Sequence, residues 1–143
     1  METREIKFRG KTLRAGKWSK WIYGSLDFTK YTYNEARIVG YDDPVQYWHK
    51  IDKNTIGQYT GLKDKNGVEI YEGDIIQHLY ENCDESDYYK VEWDDEELRF
   101  CFRNVKNIAA YIALEDMYSD DTGEYEFKVI GNIYDNPELL EEE

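Results

Sequence analysis

The chain has 143 residues, 16% of them aromatic, and carries 18 Lys and Arg against 31 Asp and Glu, a net charge of −13. That length suits one domain able to bury a core without disulfide or metal staples. The acidic balance disfavours general binding to nucleic acid or anionic lipid, whose phosphates it repels, and no apolar run approaches the roughly 20 residues of a spanning helix.

Fourteen Tyr and four Trp point to β structure, because aromatic side chains suit a half-buried pleated surface. Glu5-Ile6-Lys7-Phe8-Arg9 alternates at period two and predicts a strand with one wet face. Trp18 to Phe28 repeats the pattern and predicts a second strand bending at Gly24, paired with the first across Gly10 to Gly16. Ala36 to Tyr41 predicts a third strand, closed by Asp42-Asp43-Pro44, and Val45 to Ile51 a short aromatic fourth.

The clearest local signal runs from Gln58 to Ile76. Asp64-Lys65-Asn66-Gly67 has the chemistry of a hairpin tip, with Asp early in a type I turn and Gly accepting the positive φ that follows. Glu72-Gly73-Asp74 predicts a second turn, after which Ile75 to Tyr80 resumes as a strand. The acidic Glu81 to Asp87 is too charged to bury and predicts a loop. Tyr88 to Trp93 and Leu98 to Arg103 then bracket Asp94-Asp95-Glu96-Glu97 as a hairpin. Asn107 to Tyr118 fits either a short helix or a strand, and its surroundings favour a strand ending in a helical turn. Tyr125 to Ile130 predicts a last strand, and Asn136-Pro137-Glu138 a helical turn with cap, proline at the first position and acid in the first turn.

Four ordered blocks carry a resemblance to a known family. They are Gln58 to Gly67, Ile70-Tyr71-Glu72-Gly73-Asp74-Ile75-Ile76, Val91-Glu92-Trp93-Asp94, and Val129 to Leu140, with support from Arg4 to Arg9 and Trp21 to Leu26. Together they resemble YopX-type phage and prophage proteins nearly end to end, a match more specific than any single short motif. The resemblance implies a phage or prophage origin and residence in the host cytosol, and it brings no catalytic residue or cofactor. The acidic insertion near Glu81 to Asp87 departs from the family pattern.

The residues themselves favour structural roles. Gly61, Gly67, Gly73 and Gly131 read as backbone positions needing positive φ or close packing. Asp64 reads as the early aspartate of the hairpin-tip turn, and Asp74 as a turn carboxylate accepting backbone N–H bonds, in preference to a metal-assisted acid there. His49 and His78 have no second His or Cys at ligand spacing, so a zinc site would require the fold to gather them with Cys83 and Cys101. The two cysteines are expected as free thiols. The acidic clusters at Glu81 to Asp87, Asp94 to Glu97 and Asp120 to Glu124 lack the calcium-loop spacing and read as solvated loops.

Charge is also polarised along the chain. Residues 1–20 hold seven basic side chains against Glu2 and Glu5, or +5, whereas from Glu81 onward five basic side chains face twenty acidic ones, or −15. Such polarity describes two solvated faces, or a device that orients a partner or drives head-to-tail self-association. The expected fold is mainly β, a β-rich α+β chain with a small SH3-like barrel, hairpins and a short C-terminal helical turn. It forms one domain over residues 1–143, divided into a hairpin region of about 1–57 and a barrel-like region of about 58–143. The expected function is a non-enzymatic, cytoplasmic accessory module that binds a protein partner or itself, with no cofactor, metal, nucleic acid or membrane. The alternative is an acidic mimic of DNA that occupies a host nucleic-acid enzyme.

Overall fold

Period-two alternation dominates the computed structural model, which describes residues 5–13, 16, 19–28, 36–41, 47–79, 86–107, 111–113 and 127–141. Eleven strands appear among them: β1 (Phe8–Lys11), β2 (Trp21–Phe28), β3 (Ala36–Gly40), β4 (Trp48–Ile51), β5 (Gly57–Lys63), β6 (Glu69–Tyr71), β7 (Asp74–Leu79), β8 (Ser86–Asp94), β9 (Arg99–Asn104), β10 (Tyr111–Ala113) and β11 (Phe127–Asn132). Short 3₁₀ turns occupy Lys53–Thr55 and Pro137–Leu140. The mainly β expectation holds. The chain divides into two units, Met1–Gly61 and Leu62–Glu143.

The first antiparallel sheet has the order β4-β3-β2-β1-β5-β6, and its strands as far as Gly61 form the N-terminal unit. Its register sets Phe8 opposite Gly24, Gly10 opposite Ile22, Leu26 opposite Ile38 and Ala36 opposite Ile51. Alternation then sends Ile22, Ile38 and Ile51 to one face, where Phe8, Leu26 and Ile56 pack against them. An isolated bridge between Thr12 and Ile51 ties the end of β1 back to the end of β4. Beside it Asp52 N donates to Lys11 O at 2.8 Å and Lys11 N to Thr55 Oγ1 at 2.8 Å. The sheet therefore curls around its isoleucines. That curl leaves no room at two glycines: a Cβ at Gly10 would run into Ile51 Cγ2, and one at Gly24 would fall on the Val39 carbonyl. Strand β2 continues through Gly24, which serves close approach of β3.

In the C-terminal unit five strands form a sheet in the order β10-β9-β8-β7-β11. Its core gathers Ile70, Ile76, Tyr89, Val91, Phe102 and Phe127, with Leu62 and Val129 against them. Phe102 and Phe127 meet edge to face at 5.2 Å between centroids, a geometry that aligns ring edge with ring face. β11 slips register against β7 between Val129 and Gly131.

Several expected boundaries move. A closed barrel is not what forms: the described strands make two open antiparallel sheets, and no described ladder joins β10 to β11 across the C-terminal sheet. Ser86 and Asp87 belong to β8, because pairing with Leu79 and His78 extends that strand into the acidic stretch, whose residues 81–85 lie outside the described set. Leu98 leaves its strand for the turn, at φ 55°. Of the stretch from Asn107 to Tyr118, Tyr111–Ala113 pairs with Cys101 to Arg103 as β10, and its expected helical end falls outside the described residues. The last strand runs on to Asn132 because it follows the β7 ladder, and the expected Tyr125 and Glu126 lie outside the described residues.

Candidate functional site

In the N-terminal unit the residues that alternate away from the isoleucine core form a wall of cations and aromatic rings. Lys11 faces Trp21, Arg9 faces Tyr23, Arg37 faces Asp27 and Lys50, and Trp48 faces Val39 across neighbouring strands. Four of the cations rest on rings: Lys7 Nζ lies 4.9 Å from the Tyr59 centroid, the Arg9 guanidinium 4.6 Å and Lys11 Nζ 5.8 Å from Trp21, and the Arg37 guanidinium 4.0 Å from Trp48. Such contacts are worth about 0.5–1 kcal/mol at exposed sites and about 2 when desolvated, and they hold the cations in place; Lys7 also pairs with Glu5 at 3.1 Å.

The wall has a closed end and an open end. Arg9 is 5% exposed and Tyr59 is buried, whereas Trp48 is 50% exposed, with Tyr23, Tyr41 and Lys50 also open to solvent. Tyr41 is fixed beside Tyr23 by its backbone bond to Tyr23 O at 3.1 Å and by the Ser25 hydroxyl, which donates to its phenolic oxygen at 3.4 Å. The open end is thus an exposed aromatic platform with cations at its margin, suited to an apolar group bearing negative charge.

The sequence-predicted residues act on the backbone, and all but Gly61 belong to the C-terminal unit. Asp64 is 6% exposed; its Oδ1 accepts from Asn66 N at 2.8 Å and Val68 N at 2.9 Å, and its Oδ2 from Val129 N at 2.9 Å. Asp74 is 2% exposed and its Oδ2 accepts from Tyr71 N at 2.8 Å. Gly61, Gly67 and Gly73 have φ of 91°, 81° and 89°. Gly131 meets a different demand, since a Cβ there would strike the Asn136 side chain, whose Oδ1 accepts from Asn132 N at 3.2 Å. Asn136 makes no side-chain cap bond to the turn after it.

Of the zinc candidates, Cys83 lies outside the described residues, and His49 falls in the N-terminal unit while His78 and Cys101 fall in the C-terminal one. Among the described residues no three His, Cys, Asp or Glu side chains are placed to hold a metal ion. Cys101 is a buried free thiol; burial pushes its pKa up, against the pull of Arg103, whose Nη2 lies 4.0 Å from the sulfur. Arg103 Nε in turn donates to Glu92, which also pairs with Lys90 at 3.4 Å.

The YopX family model matches residues 7–141, a span that includes both the cation–aromatic wall and the Asp64 and Asp74 turns. The chain belongs to the YopX family. A crystal structure of protein EF1440 from Enterococcus faecalis is 29% identical to this YopX-family chain, with 96% of this chain and 74% of that one covered and a TM-score of 0.44. No curated protein matches. No helix among the described residues is long and apolar enough to cross a membrane.

The wall escaped sequence reasoning because no local motif announces it. Strands were expected over Ala36 to Tyr41 and Val45 to Ile51, but only the β3–β4 register stacks Arg37 on Trp48.

Proposed function

We propose that this YopX-family chain is a non-enzymatic accessory module of phage or prophage origin, working in the bacterial cytosol, that binds a protein partner through the open end of its cation–aromatic wall. The observation that carries the reading is the Arg37–Trp48 stack at 4.0 Å beside exposed Tyr23, Tyr41 and Lys50. Rigid aromatic anchors rimmed by charge are the usual composition of a binding hot spot. The side chains with catalytic potential support the same view: Asp64 and Asp74 are spent on backbone donors and Cys101 is buried. In the C-terminal unit, five consecutive strands with β11 returning beside β7 support an SH3-like ancestry.

The DNA-mimic reading is less well supported. Asp64, Asp74, Glu92, Asp94 and Asp135 all accept hydrogen bonds within the fold, which leaves fewer carboxylates to imitate a row of phosphates.

Affinity capture from bacterial lysate tests the proposal, with wild type and Tyr23→Ala/Trp48→Ala as parallel baits. Proteins held by wild type and released by the double variant support the wall as the working surface. Identical capture by both baits refutes it.

A further inference from the structure

Charge divides at the same place as the fold. Residues 1–61 contain 11 Lys and Arg against 7 Asp and Glu, or +4, while residues 62–143 contain 7 against 24, or −17. One chain therefore carries both a cationic aromatic platform and a strongly acidic unit, and the acidic unit has an exposed turn of matching chemistry. At the β8–β9 turn Asp95, Glu96 and Glu97 are exposed, Leu98 is 72% exposed, and Trp93 is exposed while packing edge-on against Phe100 at 5.2 Å. Asp94 braces the turn, its Oδ1 accepting from Glu96 N at 2.9 Å and Glu97 N at 3.3 Å. The tip is thus as pre-arranged as the wall, which lowers the ordering cost of bringing them together.

We propose, resting on the reading of the wall as a binding surface, that its occupant is a second copy of this chain: the acidic β8–β9 tip of one copy docks on the open end of the cation–aromatic wall of another. Trp93 and Leu98 cover Trp48 and Tyr23, and the carboxylates of Asp95 to Glu97 meet Arg37 and Lys50. Complementary charge selects this partner over an arbitrary apolar one, because like charges would meet in any other pairing of the two units. One such contact uses the tip of one copy and the wall of the other, leaving the first a free wall and the second a free tip, so association grows with concentration. Its small size makes it weak and reversible.

Sedimentation velocity on the full chain tests this from about 20 µM to about 1 mM, the range in which a contact of this size associates. The weight-average sedimentation coefficient rises with concentration for wild type. Lys50→Glu on the wall and Asp95→Lys on the tip each weaken association about fivefold, while thermal melting stays at the wild-type value because both positions are exposed. An equimolar mixture of the two variants regains association, since the unaltered tip of Lys50→Glu meets the unaltered wall of Asp95→Lys. Wild type remaining monomeric at 1 mM overturns the inference, as does a mixture that fails to regain association. If Trp48-dependent capture of other proteins persists while the chain stays monomeric, the wall remains a binding surface and the second copy is not its occupant. Binding of a 12-residue oligouridylate that Trp48→Ala abolishes assigns the wall to single strands and likewise overturns the inference.

Discussion

Replacing Asp64 with alanine removes one carboxylate and leaves three backbone donors without it. Two of them, Asn66 N and Val68 N, belong to exposed turn residues and can turn to water, so each costs about 0.5–1 kcal/mol, as a lost cap does. The third, Val129 N, lies in β11, 65 residues away in sequence, where the half-buried strand packs on the C-terminal core; a donor stranded there costs about 1–3 kcal/mol. The sum is about 3 kcal/mol. For a unit of about 80 residues melting by itself, that lowers Tm by about 12–20 °C. Asp64→Asn separates the two contributions, because its amide oxygen can still serve the turn while its NH₂ faces Val129 N; about half the loss should return. Thermal unfolding followed by near-ultraviolet circular dichroism measures both variants. Asp64→Ala within about 0.5 kcal/mol of wild type, or Asp64→Asn as damaging as Asp64→Ala, would refute the assignment of this carboxylate as a clasp between hairpin and sheet.

Further outcomes follow from the same geometry. Asp74→Ala strands the buried Tyr71 N–H and lowers stability by about 1–2 kcal/mol, readable in a urea titration. Gly24→Ala places a methyl on the Val39 carbonyl, a backbone clash that no rotamer change relieves; the N-terminal unit loses at least about 3 kcal/mol, seen as early loss of amide protection in β2 and β3. Cys101 keeps its proton more tightly in the folded than in the unfolded chain, because burial raises its pKa above the ordinary 9.0. Its contribution to stability is therefore complete below about pH 9 and declines as pH rises beyond that, and Cys101→Ala flattens the decline. For the same reason iodoacetamide labels Cys101 only as the protein unfolds, which peptide mapping by mass spectrometry can follow.

Local chemistry made much of this fold legible. Period-two alternation located most of the strands, since a half-buried sheet forces alternate side chains to opposite faces whatever the rest of the chain does. The turns at Asp64 to Gly67 and at Gly73-Asp74 were equally readable, because a positive φ beside a side-chain acceptor is a requirement met within a few residues. Strand ends were less legible. Ser86 and Asp87 join β8 because Leu79 and His78 lie opposite them, so a ladder partner outweighs the charge that predicts a loop.

The sequence by itself thus determined the β class, the turn carboxylates, the family and the polarity of charge, all of which follow from composition, near neighbours or ordered blocks. Only the tertiary structure decided which acceptors reach across the chain and which wet residues share a surface. Val129 N is bound by a carboxylate 65 residues earlier, and Arg37 lies on Trp48 through a register that pairs Val39 with Trp48. The physical reason is that a pleated strand fixes the direction of each side chain but not its neighbour, and the neighbour is set by pairing between segments distant in sequence.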